Sequence, residues 1–218
     1  MSENIHAGQP LFVRGARLNE ARAAMIMIHG RGATAESILD LAEEFHQPGF
    51  AYLAPQAAGG QWYPFRFLEP VERNEPYLSS ALAVITSLIG RVNDAGIPTE
   101  RIILLGFSQG ACLALEYAGR TAARYGGVVG LSGGLIGDSV SVADYPGTLS
   151  GTPVFLGCSD TDFHIPLERV NLSAIILRQL GGNVTKRIYP GMGHTVNGDE
   201  IDFVEDMMKS VIGTTGDT

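Results

Sequence analysis

The chain of 218 residues lacks several features that mark other classes of protein. It has 15 lysines and arginines against 23 aspartates and glutamates, a formal net charge of −8 and no basic cluster, which argues against a nucleic-acid partner. No apolar run approaches the roughly 18 residues that span a bilayer, and the opening MSENIHAGQP lacks the pattern of a signal peptide. We therefore expect neither a nucleic-acid partner nor stable membrane insertion.

Cysteine is scarce, and no metal-ligand spacing is visible. Cys112 and Cys158 both lie in apolar segments, so we interpret them as free buried thiols of a reducing compartment and predict a cytoplasmic protein. The chain contains no HExxH sequence and no paired Cys/His spacing of the kind that binds zinc. The sequence therefore predicts no metal site.

The 45% of hydrophobic residues suffices for a substantial core, which predicts one domain over residues 1–218. Short apolar runs that end in glycine or proline alternate with amphipathic helical patterns. Predicted strands cover residues 23–30, 49–55, 101–107, 125–133, 152–160 and 184–191, with an antiparallel edge strand at 9–16. Predicted helices cover residues 34–45, 77–96, 108–120, 167–180 and 199–212. This alternation predicts an α/β fold with a mostly parallel sheet and helices on both faces.

The pentapeptide GFSQG, residues 106–110, lies where a predicted buried strand meets a predicted helix. A serine at such a turn exposes its hydroxyl, and side chains at Gly106 and Gly110 would collide with neighbouring chain. The start of the helix directs N–H groups toward the site, which favours a developing oxyanion. We interpret Ser108 as a nucleophile; an ordinary turn with a capping serine is the alternative.

A nucleophilic serine requires a histidine and an orienting carboxylate. His194 lies in a glycine-flanked loop between the last predicted strand and helix, whereas we interpret His6, in a frayed terminus, and His46, after a helix, as solvated. Asp160 and Asp162 follow a strand between serine and histidine, which gives the order Ser, Asp, His of α/β-hydrolases. The residues alone do not decide whether Asp160 or Asp162 is the orienting carboxylate.

Two backbone N–H groups are expected to stabilise the oxyanion, those of Arg31 and Gln109. Arg31 belongs to the loop IHGRGATA after an early central strand, and Gln109 follows the serine. We interpret His29 as a residue that fixes this loop by hydrogen bonds and His164 as a loop or pocket residue. Neither is interpreted as the catalytic base.

With these motifs placed, the chain resembles the family of small serine α/β-hydrolases that contains carboxylesterases, lysophospholipases and acyl-protein thioesterases. The resemblance covers most of the chain and rests on IHGRGA, WYP, GFSQGA, LSGGL, DTDFHIP and YPGMGH in that order. It implies the α/β-hydrolase fold without a large lid domain and without a cofactor, and it suggests a homodimer. The oxyanion donors that it implies are again Arg31 and Gln109.

The resemblance also implies a catalytic triad of Ser108 as nucleophile, Asp162 as acid and His194 as base. Asp162 is preferred because the family places its acid just before a Val-Pro-like pair, here residues 165–166. The chain departs from the family pattern in three places. Ala33 stands where aspartate is usual, Cys158 replaces a histidine, and Phe163-His164 enters beside the acid.

The predicted function is hydrolysis of carboxylic esters, with thioesterase or lysophospholipase activity as further expectations and a small-molecule ester or thioester as substrate. The alternatives are a non-catalytic binding protein on the same scaffold and a serine-triad hydrolase of lactones or carbon–carbon bonds. Aromatic residues of the irregular segment 57–76 and side chains near the triad are predicted to line the pocket, although the aromatics could instead pack that segment over the core. These predicted pocket residues are Trp62, Tyr63, Phe65, Phe67, Phe163 and Met192.

Overall fold

The computed structural model describes residues 4–45 and 47–213. Seven strands form one sheet, β1 Leu11–Gly15, β2 Ala23–Ile28, β3 Phe50–Pro55, β4 Ile102–Phe107, β5 Gly127–Leu131, β6 Pro153–Ser159 and β7 Asn183–Tyr189. The helices are α1 Ala35–Asp40, α2 Tyr77–Asp94, α3 Gln109–Arg120, α4 Leu167–Gln179 and α5 Gly198–Gly213. The strand order is β1-β3-β2-β4-β5-β6-β7, parallel except for the antiparallel pair β1 and β3. The predicted edge strand and parallel sheet are confirmed.

The sheet is buried on both faces, which explains why its central strands are apolar throughout. In β2, Ala24, Ile26 and Ile28 face one core, while the alternate side chains, such as Met25 and Met27, face the other. Helices α2, α3 and α4 cover the first face, and α1 and α5 cover the second. The prediction of helices on both faces is therefore confirmed. Within the two described ranges, no helix combines the length and apolar character needed to cross a bilayer.

The first helix is shorter than the sequence pattern predicts. Thr34 caps α1 in a reciprocal arrangement with Ser37, but α1 ends at Asp40 and a 3₁₀ turn follows over Leu41–Glu43. The tighter turn is compatible with the three-residue spacing of Ala42 and Phe45, which pack on the same core. The predicted helix at residues 34–45 is thus an α-helix followed by a 3₁₀ turn.

The prediction that His6 is solvated is wrong, because this side chain is buried. Its Nε2 donates to the carbonyl of Trp62 at 3.0 Å, and its Nδ1 accepts from the N–H of Ala58 at 3.1 Å. Its own N–H donates to Ser80 Oγ at 2.9 Å. Burial lowers the pKa of His6, which favours the neutral ring that these contacts need. His46 lies outside the described residues.

The turn from β4 into α3 is held by two close backbone approaches. A Cβ atom on Gly106 would overlap the carbonyl of Gly110, and one on Gly110 would overlap the carbonyl oxygen of Ile28 in β2. Between them Ser108 has φ 56° and ψ −117°, a conformation that costs a non-glycine residue roughly 1–3 kcal/mol. The N–H of Ser108 donates to the carbonyl of Leu131 at 2.9 Å. The predicted steric role of both glycines is confirmed.

The replacement Gly110→Ala tests this packing. Because the added methyl meets backbone atoms of β2 rather than a flexible side chain, we expect the free energy of unfolding to fall by at least about 2 kcal/mol. Chemical denaturation monitored by circular dichroism measures the change. Gly90→Ala is the matched control, since Gly90 lies exposed in α2 with no atom near its added methyl, and it should gain roughly 0.5–1 kcal/mol. Equal effects at the two sites would contradict the prediction.

Candidate active site

The predicted site residues lie at the carboxyl edge of the sheet. Arg31 follows β2, Ser108 follows β4, Asp162 follows β6 and His194 follows β7. In a parallel sheet the loops after these strands all emerge on one side. Side chains that are distant in sequence can therefore meet above that edge.

Ser108, His194 and Asp162 form a continuous chain of hydrogen bonds. His194 Nε2 lies 2.8 Å from Ser108 Oγ, and His194 Nδ1 lies 2.7 Å from Asp162 Oδ2. Because an ionised carboxylate only accepts, Nδ1 carries the proton and donates it to Asp162. Nε2 of the neutral ring is then free to accept the serine proton.

Asp162 is held by more contacts than the one to His194. Its Oδ1 accepts from the N–H of His164 at 2.8 Å and of Ile165 at 3.1 Å. The Cys158 thiol lies 3.8 Å from its Oδ2. Burial by itself raises the pKa of the Asp162 carboxyl, but the hydrogen bonds from His194 and the two N–H groups outweigh burial and leave that pKa lowered. The carboxyl is therefore ionised at neutral pH.

Asp160 holds the histidine loop from a different point. Its Oδ1 accepts from the N–H of Gly191 at 2.8 Å, and Ser159 Oγ accepts from the N–H of Gly193 at 3.0 Å. Both glycines have positive φ, 64° and 79°, which favours residues without a side chain. The structure thus brings Asp162 to His194 and uses Asp160 to fix the loop.

Arg31 and Gln109, whose backbone N–H groups are the predicted oxyanion donors, line the same cavity as Ser108. Gln109 is the first residue of α3, and Arg31 lies in the loop after β2. Within the described residues neither N–H has a protein acceptor. Two such donors beside a serine hydroxyl could accommodate a negatively charged oxygen.

The Gln109 side chain connects the serine turn to the irregular segment. Its Oε1 accepts from the N–H of Trp62 at 2.9 Å, and its Nε2 donates to the carbonyl of Tyr63 at 2.8 Å. Trp62 is fully buried, and its Nε1 donates to the carbonyl of His29 at 2.9 Å. His29 Nδ1 donates to the carbonyl of Gly30 at 2.7 Å, while its Nε2 accepts from a neighbouring N–H. His29 thus fixes its loop, as the sequence predicts.

A cavity of about 560 Å³ opens at Ser108 and His194. The predicted aromatics Tyr63, Phe65 and Phe67 line it, as do the Arg31 side chain and Gln109. Several further lining residues are not predicted from the sequence, namely Gly30, Ala33, Pro64, Arg66, Glu69, Phe107, Cys112 and Ile165. His164, which the sequence left as a loop or pocket residue, also lines the cavity, with its ring centroid 4.8 Å from that of His194.

Three predicted pocket residues do not line the cavity, and we correct their assignment. Trp62 points into the core, because its indole N–H finds its acceptor there. Phe163 is 93% exposed, since its neighbour His164 takes the side facing His194. Met192 lies in the histidine loop with its sulfur against Asn197. Spacing in an irregular loop does not reveal which aromatic faces inward.

The described residues contain no group of three or more His, Cys, Asp or Glu side chains arranged to hold a metal ion. Cys112 and Cys158 are both buried and unpaired. Burial raises the pKa of each thiol to about 12, so both remain protonated. Neither thiol is therefore an activated nucleophile.

Comparison with known proteins identifies the family of the chain. A profile described as phospholipase/carboxylesterase matches residues 13–212, most of the chain. The chain belongs to the phospholipase/carboxylesterase family. A solved phospholipase/carboxylesterase from Dyadobacter fermentans is 40% identical and superimposes with a TM-score of 0.89, over 92% of this chain and 96% of that one. The protein is thus a hydrolase of the carboxylesterase type with the α/β-hydrolase fold.

Relatives of this hydrolase include acyl-protein thioesterases from fungi. Acyl-protein thioesterase 1 of Neurospora crassa is 28% identical over 220 residues, which cover 89% of each chain. Acyl-protein thioesterase 1 of Gibberella zeae is 38% identical over 128 residues, which cover 56% of this chain and 53% of that relative. The described part of the hydrolase has no large lid domain inserted over the cavity.

A buried carboxyl supports the end of the histidine loop in this hydrolase. Glu200 is fully buried near the start of α5; its Oε2 accepts from the N–H of Asn197 at 3.0 Å, and its own N–H donates to Asn197 Oδ1 at 3.0 Å. Its Oε1 packs against Gly157 in β6 and has no hydrogen-bond partner. Burial raises the pKa of Glu200 to about 7.

The raised pKa of Glu200 predicts how the stability of the protein changes with pH. The pKa of Glu200 is about 7 in the folded protein, whereas its ordinary value is 4.5, so the folded state binds the Glu200 proton more tightly than the unfolded state does. The folded protein therefore loses stability as the pH rises from about 4.5 to about 7. Glutamine cannot ionise, so the variant does not share this loss. The unfolding free energy of Glu200→Gln minus that of wild type should therefore rise by roughly 2–3 kcal/mol when the pH is raised from about 5 to about 8. Urea unfolding at both pH values measures this gain.

The matched control is Asp202→Asn, an exposed carboxylate on the same helix. Its difference from wild type should be small at both pH values, since exposed surface substitutions alter stability by about 0.5 kcal/mol or less. A Glu200→Gln difference that is the same at both pH values would contradict the assignment of a protonated carboxyl.

Proposed function

We propose that the chain is a serine hydrolase that cleaves carboxylic esters through an acyl-enzyme on Ser108. The observation that carries the proposal is the hydrogen-bonded chain from Ser108 through His194 to Asp162, placed at a cavity. In this proposal Ser108 is the nucleophile, His194 the general base and acid, and Asp162 the residue that fixes the imidazole tautomer. The family membership supports the reaction class.

In the first half-reaction, Ser108 Oγ attacks the ester carbonyl while His194 Nε2 takes the hydroxyl proton. The carbonyl electrons move to oxygen, and the N–H groups of Arg31 and Gln109 stabilise that oxyanion. When the intermediate collapses, the bond to the leaving oxygen breaks and His194 returns the proton to it. The alcohol departs and the acyl group remains on Ser108.

In the second half-reaction, water takes the place of the alcohol. His194 Nε2 removes a proton from the water, whose oxygen attacks the acyl-enzyme, and the same two N–H groups stabilise the new oxyanion. Collapse releases the carboxylic acid and returns the proton to Ser108. Asp162 stabilises the imidazolium in both halves without taking its proton.

Thioesters are included in the proposed substrate range. The chemistry is the same with sulfur as the leaving atom, and the fungal relatives are named acyl-protein thioesterases. Lysophospholipase activity is the remaining extension that the family name supports. No specific observation favours a lactone or carbon–carbon substrate, and an intact hydrogen-bonded triad weighs against a non-catalytic binding protein.

We further propose that residues 1–218 act as one domain in the cytoplasm. The seven-stranded sheet with its two cores supports the first statement, and the two buried, unpaired cysteines support the second. A homodimer remains a proposal by analogy with the family, which sedimentation analysis would test.

The replacement Ser108→Ala tests the nucleophile. We expect kcat for para-nitrophenyl butyrate to fall by at least about 10⁴-fold with the thermal midpoint preserved, because the alanine removes the attacking atom. Labelling by a fluorophosphonate probe should disappear in parallel. Ser87→Ala, at an exposed serine of α2, is the control and should label like wild type. Full activity in Ser108→Ala would overturn the proposal.

The choice between the two aspartates is tested by replacing each with asparagine. Asp162→Asn puts an amide against His194 Nδ1 and favours the wrong tautomer, so kcat should fall by about 10⁴-fold. Asp160→Asn keeps an oxygen that can accept from Gly191, and its effect on kcat should be far smaller. Steady-state kinetics on the same ester measure both effects. A larger loss of kcat in Asp160→Asn than in Asp162→Asn would reassign the triad acid to Asp160.

A further inference from the structure

The residues that line the catalytic cavity include more arginines than carboxylates, in a chain whose net charge is −8. Two arginines, Arg31 and Arg66, are among the residues that line it. Among the lining residues, Glu69 supplies the one carboxylate. The net charge of the cavity lining thus depends on which of these side chains form ion pairs.

The negative charge of Glu69 is neutralised outside the cavity. Its Oε2 lies 2.7 Å from Arg73 Nη1, one turn along the chain. The Arg73 guanidinium also lies over the ring of Phe65, 4.4 Å from its centroid, which keeps it in place. Arg73 itself does not line the cavity. Glu69 therefore cancels Arg73 rather than the arginines at the mouth.

The positive charge of Arg31 is not neutralised. Its Nη1 donates to Gln61 Oε1 at 2.9 Å and to the carbonyl of Pro64 at 2.8 Å, and its Nη2 donates to the carbonyl of Phe65 at 2.6 Å. All three acceptors are neutral amide oxygens. These contacts fix the guanidinium and leave its full charge at the cavity mouth.

Arg66 is exposed, and none of the ion pairs among the described residues involves it. Its backbone is fixed by Asn74, a fully buried amide. Asn74 Oδ1 accepts from the N–H of Phe65 at 2.9 Å, and its Nδ2 donates to the carbonyl of Arg66 at 3.2 Å. An arginine without an ion-pair partner thus stands at the cavity on a segment whose backbone is anchored by Asn74.

We infer that the hydrolase selects esters that carry a carboxylate, which the Arg66 guanidinium binds at the cavity mouth within the field of Arg31. This inference rests on the proposed function. A cleft lined by one sign of charge focuses its field and raises the local concentration of oppositely charged substrate. A planar guanidinium also matches the two oxygens of a carboxylate. Arg66 is accordingly a specificity residue, distinct from the triad.

The test compares kcat/KM for esters that differ in charge. For the acyl side, the pair is the para-nitrophenyl monoester of adipate and para-nitrophenyl hexanoate, with para-nitrophenyl omega-aminohexanoate as the cationic analogue. For the alcohol side, the pair is para-acetoxybenzoate and phenyl acetate. We expect the anionic member of one pair to be preferred about fivefold or more and the cationic analogue to be disfavoured. The pair that shows this preference indicates whether the carboxylate is recognised on the acyl side or on the alcohol side of the ester.

In the pair that shows a preference in wild type, the variant Arg66→Gln should bring the ratio of kcat/KM for the anionic ester to kcat/KM for the neutral ester close to one. Arg17→Gln removes the same charge from an exposed position outside the cavity, and it should keep the wild-type ratio. Raising sodium chloride from about 0.05 M to about 0.5 M should also reduce the wild-type ratio, because salt screens exposed charges. A change in folding cannot mimic this result, since both members of a pair are measured on the same protein.

The outcomes separate this inference from the proposed function. Hydrolysis of the neutral esters that is lost in Ser108→Ala supports the proposed function by itself. If the neutral esters are hydrolysed in this way but wild type shows a ratio of anionic to neutral kcat/KM near one for both pairs, carboxylate selection is overturned. A preference that survives Arg66→Gln unchanged, or that ignores salt, overturns the role of Arg66.

Discussion

The close approach of three backbone segments at Gly106 and Gly110 is the constraint on which the rest of this hydrolase depends. It lets helix α3 begin directly against strands β4 and β2, with no side chain between them. Ser108 is held there in its unusual conformation, and α3 begins at the next residue, Gln109. The remaining parts of the site are loops that must arrive at this fixed point.

Those loops are fixed by polar contacts rather than by a covalent link. The histidine loop is attached through Asp160 and Ser159, whose oxygens accept from glycine N–H groups. The pocket segment is attached through Asn74 and through the amide of Gln109. The contacts of Asn74 and Gln109 satisfy side-chain groups that would otherwise be costly to bury, so the fold and the candidate site share these interactions.

Much of this organisation was predictable because it follows from periodicity and from chain order. The all-apolar β2 and the strand-to-helix break at Ser108 specify their own geometry, and the carboxyl edge of a parallel sheet brings the loop of His194 within reach. The direction of Trp62 and Phe163 was not predictable, since an irregular loop has no period that assigns a face. Glu200 was missed for a related reason: its burial depends on the space above Gly157, a contact between segments far apart in sequence.

The side chain of Gln109 has a consequence for how this enzyme can change over generations. One residue contributes a backbone N–H next to Ser108 and a side-chain amide that clamps Trp62 and Tyr63, so the cavity wall at Tyr63 and the turn at Ser108 are mechanically joined. A mutation that widens the pocket by shifting this wall also pulls on the first turn of α3. Substrate range and turnover are therefore linked traits, and lineages that adopt bulkier acyl groups are expected to carry compensating replacements around the clamp.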